Sequence, residues 1–346
     1  MARIAVIGTG AWGTTLARMA ALEQIRVAQS QATPEIEEVV LWEHQPERAQ
    51  QLQWERINHA YLPGYALPAN LRVTADVGEA VRGRDVVLLV TPSQRVRENI
   101  ALIAPYLSNG AVVVCASKGL EIGTHLRMTQ IVAEYTPARV GVAALSGPNL
   151  AFEIAKGLPA AAVVASDVAK AAERVRHALS TPRFRVYTSD DVIGVELGGA
   201  LKNIVALGVG ASDGLEYGDN AKATFITRAL AEISRLSLAA GANPLTLAGL
   251  AGLGDLIATC TSPLSRNRTL GMELARGRPL AEALAERKTV VEGVYTTKGA
   301  LELADVLDVE LPITYQIGQV LFEGKPIRDA VSSLMTRDPK RELEGL

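Results

Sequence analysis

Arg3-Ile4-Ala5-Val6-Ile7-Gly8-Thr9-Gly10-Ala11-Trp12-Gly13 is the stretch that decides the fold. Residues 3–7 read as a strand buried on both faces, and an Ala- and Leu-rich helix is expected over 11–22. The glycines between them fall in the spacing G-x-G-x-x-G. Gly8 permits a tight turn, Gly10 lets a pyrophosphate approach the backbone, and Gly13 allows helix and sheet to pack closely. The start of the helix, with Ala11 and Trp12 in its first turn, offers unpaired N–H groups and partial positive charge to phosphates. Alone the pattern is weak. At the head of a β-α-β pattern it predicts a dinucleotide site.

That pattern continues. Apolar runs at 39–42, 71–74, 86–90, 111–115, 140–145 and 161–164 are short and bounded by Gly, Pro, Ser or Asp, with helical segments between several of them. Such runs are strands of a largely parallel sheet covered on both faces. The expected fold is therefore α/β, with a Rossmann-like doubly wound dinucleotide-binding domain over 1–190. After Ser189-Asp190-Asp191 the character changes. Helical patterns follow one another at 191–211, 221–240, 244–259, 265–276, 279–287, 294–306 and 312–323, with Asp191, Thr246, Ser265 and Pro279 as start signals. An all-α substrate domain is expected over 191–336, followed by a charged, frayed tail over 337–346. The polar stretch Gln24 to Glu38 reads as a surface elaboration.

The bulk numbers agree with two globular domains. The chain has 346 residues, 48% of them hydrophobic and 21% charged. A net charge of −2 gives no field that would draw nucleic acid, and 4% aromatics argue against stacked bases. Two cysteines cannot build a disulfide framework. Cys115 reads as a buried small hydrophobe, and Cys260 as equally inert. His44, His59, His125 and His177 show no ligand spacing, so no metal is expected. The chain starts on a strand-like run without a signal segment. No apolar run is expected to span a bilayer, which would take roughly 18 residues. The default location is the cytoplasm. A homodimer is compatible with a helical second domain.

Within the helical half, Gly198-Gly199-Ala200-Leu201-Lys202-Asn203 places a lysine among small apolar residues. Burying an ammonium is costly unless it is paired or put to work. Asp255 and Thr259 are four apart on one helical face, and Asp255 is a candidate partner for Lys202. Ser265 is placed to cap a helix. Arg266 and Asn267 then fall in its first turn, where a cation is unfavourable unless an anion joins it; a phosphate would satisfy both arginine and helix amides. Lys118 follows a buried strand, and Gly147 and Asn149 lie in a tight turn after another. Ligands of such sheets bind at the carboxyl ends of strands. For cofactor choice, Glu43 suits the ribose 2′-hydroxyl of NAD, whereas His44 or Arg48 suits the 2′-phosphate of NADP; the residues leave both open. So far the pattern admits a dehydrogenase of phosphorylated alcohols, a related two-domain hydroxyacid-type dehydrogenase, or a non-catalytic NAD(P)H-binding protein.

The ordered set of motifs resembles the NAD(P)-dependent sn-glycerol-3-phosphate dehydrogenase family. It comprises Gly8 to Gly13 with Trp12, Tyr61-Leu62-Pro63-Gly64, Ser117-Lys118-Gly119 and Ser146-Gly147-Pro148. It continues with Gly199-Ala200-Leu201-Lys202-Asn203, Gly218-Asp219-Asn220-Ala221-Lys222-Ala223, Ala251 to Leu256, Ser265-Arg266-Asn267 and Val291-Glu292-Gly293. The resemblance implies interconversion of glycerol 3-phosphate and dihydroxyacetone phosphate, and so a supply of glycerol 3-phosphate for glycerophospholipid synthesis. It implies Lys202 as general acid/base, with Lys118, Asn203, Asp255 and Thr259 positioning substrate and lysine. Ser265, Arg266 and Asn267 would hold the phosphate, and Gly147 would face the substrate. Ala151, Val290, Glu292 and Arg266 would lie near the cofactor. Asn149 and Leu150 depart from the usual family residues at their positions.

Overall fold

The computed structural model describes residues 1–30, 35–339 and 341–342. They form two compact units, one of Met1–Ser117 with Met128–Val192, the other of Lys118–Arg127 with Ile193 onward. The short segment Lys118–Arg127, assigned from sequence to the first domain, thus packs with the helices.

The first unit is built on strands β1 Ala2–Ile7, β2 Ile36–Trp42, β3 Ile57–Asn58, β4 Leu62–Ala66, β5 Arg72–Thr74, β6 Val86–Leu89, β7 Val112–Cys115, β8 Gly141–Ser146, β9 Ala160–Ala165 and β10 Phe184–Ser189. Eight of them make one sheet in the order β10-β9-β8-β7-β6-β1-β2-β5, while β3 and β4 form a separate hairpin. Central β1 pairs in parallel with β2 and β6, and Ile4 lies opposite Val39 on one side and Val86 on the other. Among the described residues, β8–β9 is the antiparallel pair of this sheet and its other pairs are parallel. The short helix Ala151–Ala155 in that connection is no full crossover, whereas Ala169–Leu179 carries the chain from β9 to a parallel β10. Ile4, Val6, Leu41, Leu88 and Val114 are completely buried, as strands covered on both faces require.

Two elements of this unit escaped the sequence reading. Strand β10 alternates, with Phe184 and Val186 inward and Arg185 and Tyr187 outward, and so lacks the continuous apolar run of its neighbours. The β3–β4 hairpin is only partly buried. The Gln24 to Glu38 stretch is mostly regular structure: its helix continues to Gln29 and β2 starts at Ile36. Residues 31–34 of that stretch, and 340 and 343–346 of the tail, lie outside the described residues.

The second unit contains helices Val192–Gly214, Gly218–Ala239, Asp255–Thr261, Arg266–Ala275, Leu280–Ala285, Glu292–Leu307, Pro312–Phe322 and Ile327–Met335, the last not anticipated. The expected helix 244–259 breaks into a 3₁₀ turn, Pro244–Ala248, a π turn, Leu250–Gly254, and then a short α-helix. Asn243, rather than Thr246, caps its start by accepting from the Leu245 N–H at 3.0 Å. The core gathers Leu197, Leu201, Ile204 and Val209 of the central helix with Leu236, Leu256 and Ile313. By length and apolarity alone Val192–Gly214 is a helix that could cross a bilayer, contrary to the expectation from sequence. Of its most apolar 18 residues 89% are buried, and it serves as the central core helix of this unit.

Candidate functional site

The glycine loop sits between β1 and the helix Ala11–Gln29, and its glycines are there for close approach. Gly8 has φ +115°, and a Cβ on it would meet the Val90 carbonyl oxygen at 2.6 Å. A Cβ on Gly13 would fall 2.0 Å from the Gly8 carbonyl oxygen, whereas one on Gly10 would meet nothing within 4 Å. The loop is therefore tight on its protein side and open at Gly10. The helix that follows has no side-chain cap and no acidic residue in its first turn, so its N–H groups and dipole remain available to an anion. Trp12 packs by its ring against Phe184 at 6.3 Å.

Glu43 follows directly on β2 and turns inward. Its side chain is 1% exposed. One carboxylate oxygen accepts from the Thr9 hydroxyl and faces Arg48 Nε at 3.5 Å. The other takes the Gln45 N–H at 3.1 Å and lies 2.8 Å from His44 Nδ1. Glu43 thus ties the glycine loop to the end of β2, and His44 is the exposed member of the group. Asn58 supports the same loop, donating to the Thr9 carbonyl at 2.7 Å and the Thr14 hydroxyl at 2.8 Å. Sequence reasoning missed Asn58, because a lone asparagine in a short hairpin carries no periodic signal; its nearness to the Tyr61-Leu62-Pro63-Gly64 motif was the available hint.

At the carboxyl end of β8, Gly147 has φ +134° and its α-carbon crowds β9, 3.0 Å separating a built Cβ from the Ala162 α-carbon. Asn149 donates to the Ala161 carbonyl at 3.2 Å. Ala151 opens the next short helix, and its carbonyl accepts from the Thr15 hydroxyl at 3.2 Å. Thr91 Oγ1, Ser146 Oγ and Asn149 Oδ1 are buried without a hydrogen-bond partner among the described residues. Buried polar atoms are rarely left so. All three lie at or just beyond the carboxyl ends of β6 and β8. Together with the open Gly10 and the uncapped helix, the Thr91 and Ser146 hydroxyls are donors and acceptors suited to a dinucleotide, and Asn149 Oδ1 is an acceptor left for another ligand group.

In the helical unit Lys202 is buried in the middle of Val192–Gly214. Its Nζ donates to Asp255 Oδ1 and, at 2.6 Å, to the Thr259 hydroxyl. Lys118 Nζ donates to the other oxygen of the same carboxylate at 2.6 Å. Two ammonium groups thus share one carboxylate, leaving the cluster a net cation. Burial pulls the Lys202 pKa down to about 8; the Asp255 charge opposes this and Lys118 adds to it. Beside Lys202, Asn203 accepts from Asn267 Nδ2 at 2.9 Å, and Asn267 Oδ1 accepts from the Gly293 N–H at 2.9 Å.

Helix Arg266–Ala275 starts as expected, with the Ser265 hydroxyl accepting from the Arg268 N–H at 3.3 Å. Arg266 holds the first position, its side chain in no hydrogen bond or ion pair among the described residues. The residue is exposed; nearby protein partly desolvates its guanidinium and lowers its pKa, and the Glu292 charge opposes that. Glu292 begins helix Glu292–Leu307, and Val290 lies just before it. The structure therefore brings Lys118, Lys202, Asp255 and Thr259 together, and links Asn203, Asn267 and the start of the Glu292 helix. Among the described residues no cluster of His, Cys, Asp and Glu could hold a metal.

A doubly wound sheet with this loop, and a helical unit holding a buried lysine with its pKa lowered to about 8, define a nicotinamide-dinucleotide oxidoreductase. The sequence models of NAD-dependent glycerol-3-phosphate dehydrogenase match residues 3–172 with their N-terminal part and residues 191–332 with their C-terminal part. The chain belongs to that family. It is 47% identical to the glycerol-3-phosphate dehydrogenase [NAD(P)+] of Geobacter metallireducens over 98% of both chains. It is 46% identical to that of Thermobifida fusca over the whole of both. The crystal structure of the Coxiella burnetii glycerol-3-phosphate dehydrogenase superposes with a TM-score of 0.89 at 38% identity, covering 97% of this chain and 99% of that one.

Proposed function

We propose that the chain interconverts sn-glycerol 3-phosphate and dihydroxyacetone phosphate, with Lys202 as the general acid and base. The observation that carries this reading is the Lys202 amine, buried, held by Asp255 and Thr259, and lowered to a pKa of about 8. A proton-transfer group works best when its pKa lies near the operating pH. The glycine loop, with Gly8, Gly10, Ala11, Trp12 and Gly13, would hold the pyrophosphate of NAD or NADP, and Glu43 and the exposed His44 beside it would serve the ribose. The bound dinucleotide supplies or accepts a hydride.

In the oxidising direction neutral Lys202 takes the proton of the secondary hydroxyl. In the reducing direction its ammonium returns a proton to the carbonyl oxygen. Asp255 and Thr259 fix the Nζ position, and Lys118 adds the second charge that attracts an anionic substrate. Arg266, with the first-turn amides of its helix, receives the substrate phosphate. That remote anchor holds the reacting carbon in register, which removes orientational entropy from the chemical step. Gly147 and Asn149 serve the substrate side, and Ala151, Val290 and Glu292 the cofactor side. The reading carries with it a cytoplasmic location, a homodimer and a role in supplying phospholipid precursor.

Reduction of dihydroxyacetone phosphate by the purified chain, followed with NADH and NADPH side by side, tests substrate and cofactor together. Turnover with at least one of them, and little with unphosphorylated dihydroxyacetone, is the expected outcome. Equal rates on both ketones would leave the phosphate site without support.

A further inference from the structure

We infer that Asn267 is a positioning residue: through its side chain it fixes which end of the Asn203 amide faces the substrate. The inference rests on the reading of the helical unit as the substrate site. An asparagine amide has a donor end and an acceptor end, and nothing intrinsic decides how it lies. Here a backbone group decides. The Gly293 N–H can only donate, and it donates to Asn267 Oδ1 at 2.9 Å. Asn267 must then present its NH₂ in the other direction, where it meets Asn203 Oδ1 at 2.9 Å. The oxygen of Asn203 faces Asn267, so its NH₂ points the other way and is the end left to act on a ligand. Polarity runs one way along the relay, from Gly293 to Asn267 to Asn203.

The relay is built into the packing. Asn203 and Asn267 are 6% and 7% exposed, which keeps water from competing for their bonds. Gly293 is required for the approach: a Cβ there would stand 2.7 Å from both the Asn203 carbonyl oxygen and Asn267 Oδ1. Asn203 follows Lys202 on the same helix, where consecutive side chains point in different directions; the Lys202 amine goes to Asp255 and Thr259 and the Asn203 amide to Asn267, so the two would meet a ligand from different sides. A fixed pair of N–H donors recognises an oxygen acceptor on the substrate, such as a hydroxyl, carbonyl or phosphate oxygen. The Asn267 side chain accordingly stands behind Asn203, and a contribution of Asn267 to phosphate falls to its main-chain N–H in the first helical turn.

Asn267→Asp is the test. The carboxylate keeps the acceptor for Gly293 but has no proton for Asn203, whose amide turns its NH₂ toward the introduced carboxylate and its oxygen toward the substrate. The expected result is a rise of about tenfold or more in KM for dihydroxyacetone phosphate, the scale of one lost hydrogen bond, with KM for the dinucleotide unchanged within about twofold. Asn267→Leu, which removes both bonds without adding charge, is expected to raise the same KM, and guards against an outcome due only to a buried carboxylate. A fall in kcat with both KM values unchanged, in either variant, would reduce Asn267 to a structural role and overturn the inference. Selective ¹⁵N-asparagine labelling reads the relay without turnover: the Asn203 side-chain amide signals shift in Asn267→Asp, and unshifted signals overturn it. Absence of any wild-type turnover counts against the proposed reaction, while the labelling result still decides the relay.

Discussion

Lys202 is the residue on which most of the chemistry converges. Its amine would ordinarily titrate near 10.5, and burial brings it to about 8 despite the attraction of Asp255. The sign of the pH response follows. Alcohol oxidation needs the neutral amine, so its kcat/KM should rise with pH through about 8. Ketone reduction needs the ammonium and should fall through the same region. Initial rates in both directions between pH 6 and 10, roughly two units either side of that value, check this; parallel profiles would separate Lys202 from proton transfer. Lys202→Ala should lower kcat by about 10² to 10⁴, the usual worth of a positioned acid or base, and an unchanged kcat would remove the assignment. Stability carries the same signature. Between pH 8 and 10.5 the unfolded chain holds the proton that the folded lysine has released, so this group makes stability rise with pH across that window.

At the scale of elements, the lysine reaches its carboxylate because two backbones are allowed to touch. A Cβ on Gly198 would lie 2.8 Å from the Ala251 carbonyl oxygen. Lys202 is one turn beyond Gly198, and Asp255 is four residues beyond Ala251, so the backbone contact and the ion pair are successive rungs between the same segments. Gly198→Ala should force these segments apart. We expect a loss of about 1–3 kcal/mol in stability from overpacking, and a fall in kcat of about tenfold to a hundredfold from the displaced amine. Calorimetry and steady-state rates give the two numbers, and a variant with wild-type kcat would show that the approach is not needed for the pairing. Parts of this arrangement were legible in the sequence. The Asp255–Thr259 spacing placed both groups on one face, and Ser265 announced the start of the helix that carries Arg266. The π turn at Leu250–Gly254 was not legible, since its apolar residues have the same run as an ordinary helix start. Nor was the inward turn of Glu43: a strand-end acid reads alike whether it faces a ribose or is buried against Thr9. The buried strands of the sheet were readable because continuous apolar runs have few alternatives, whereas alternating β10 was lost at the edge.

For the whole molecule, the proposed groups divide between two units that each possess a core of their own. The dinucleotide loop belongs to the unit containing Met1–Ser117, and Lys202, Arg266 and Lys118 belong to the helical unit. A chain of this kind need not unfold in one step. A ligand stabilises the unit that binds it by RT ln(1 + [L]/Kd), about 2.7 kcal/mol at a hundred times Kd. Scanning calorimetry should therefore resolve two transitions, or one broadened endotherm that separates into two when a ligand is added. Dinucleotide alone should raise the transition of the sheet unit, and glycerol 3-phosphate alone that of the helical unit. Arg266→Ala should abolish the shift caused by glycerol 3-phosphate and leave most of the shift caused by dinucleotide, because the loop at Gly8 to Gly13 is untouched. A single sharp transition that moves equally with either ligand would contradict this division of binding between the units.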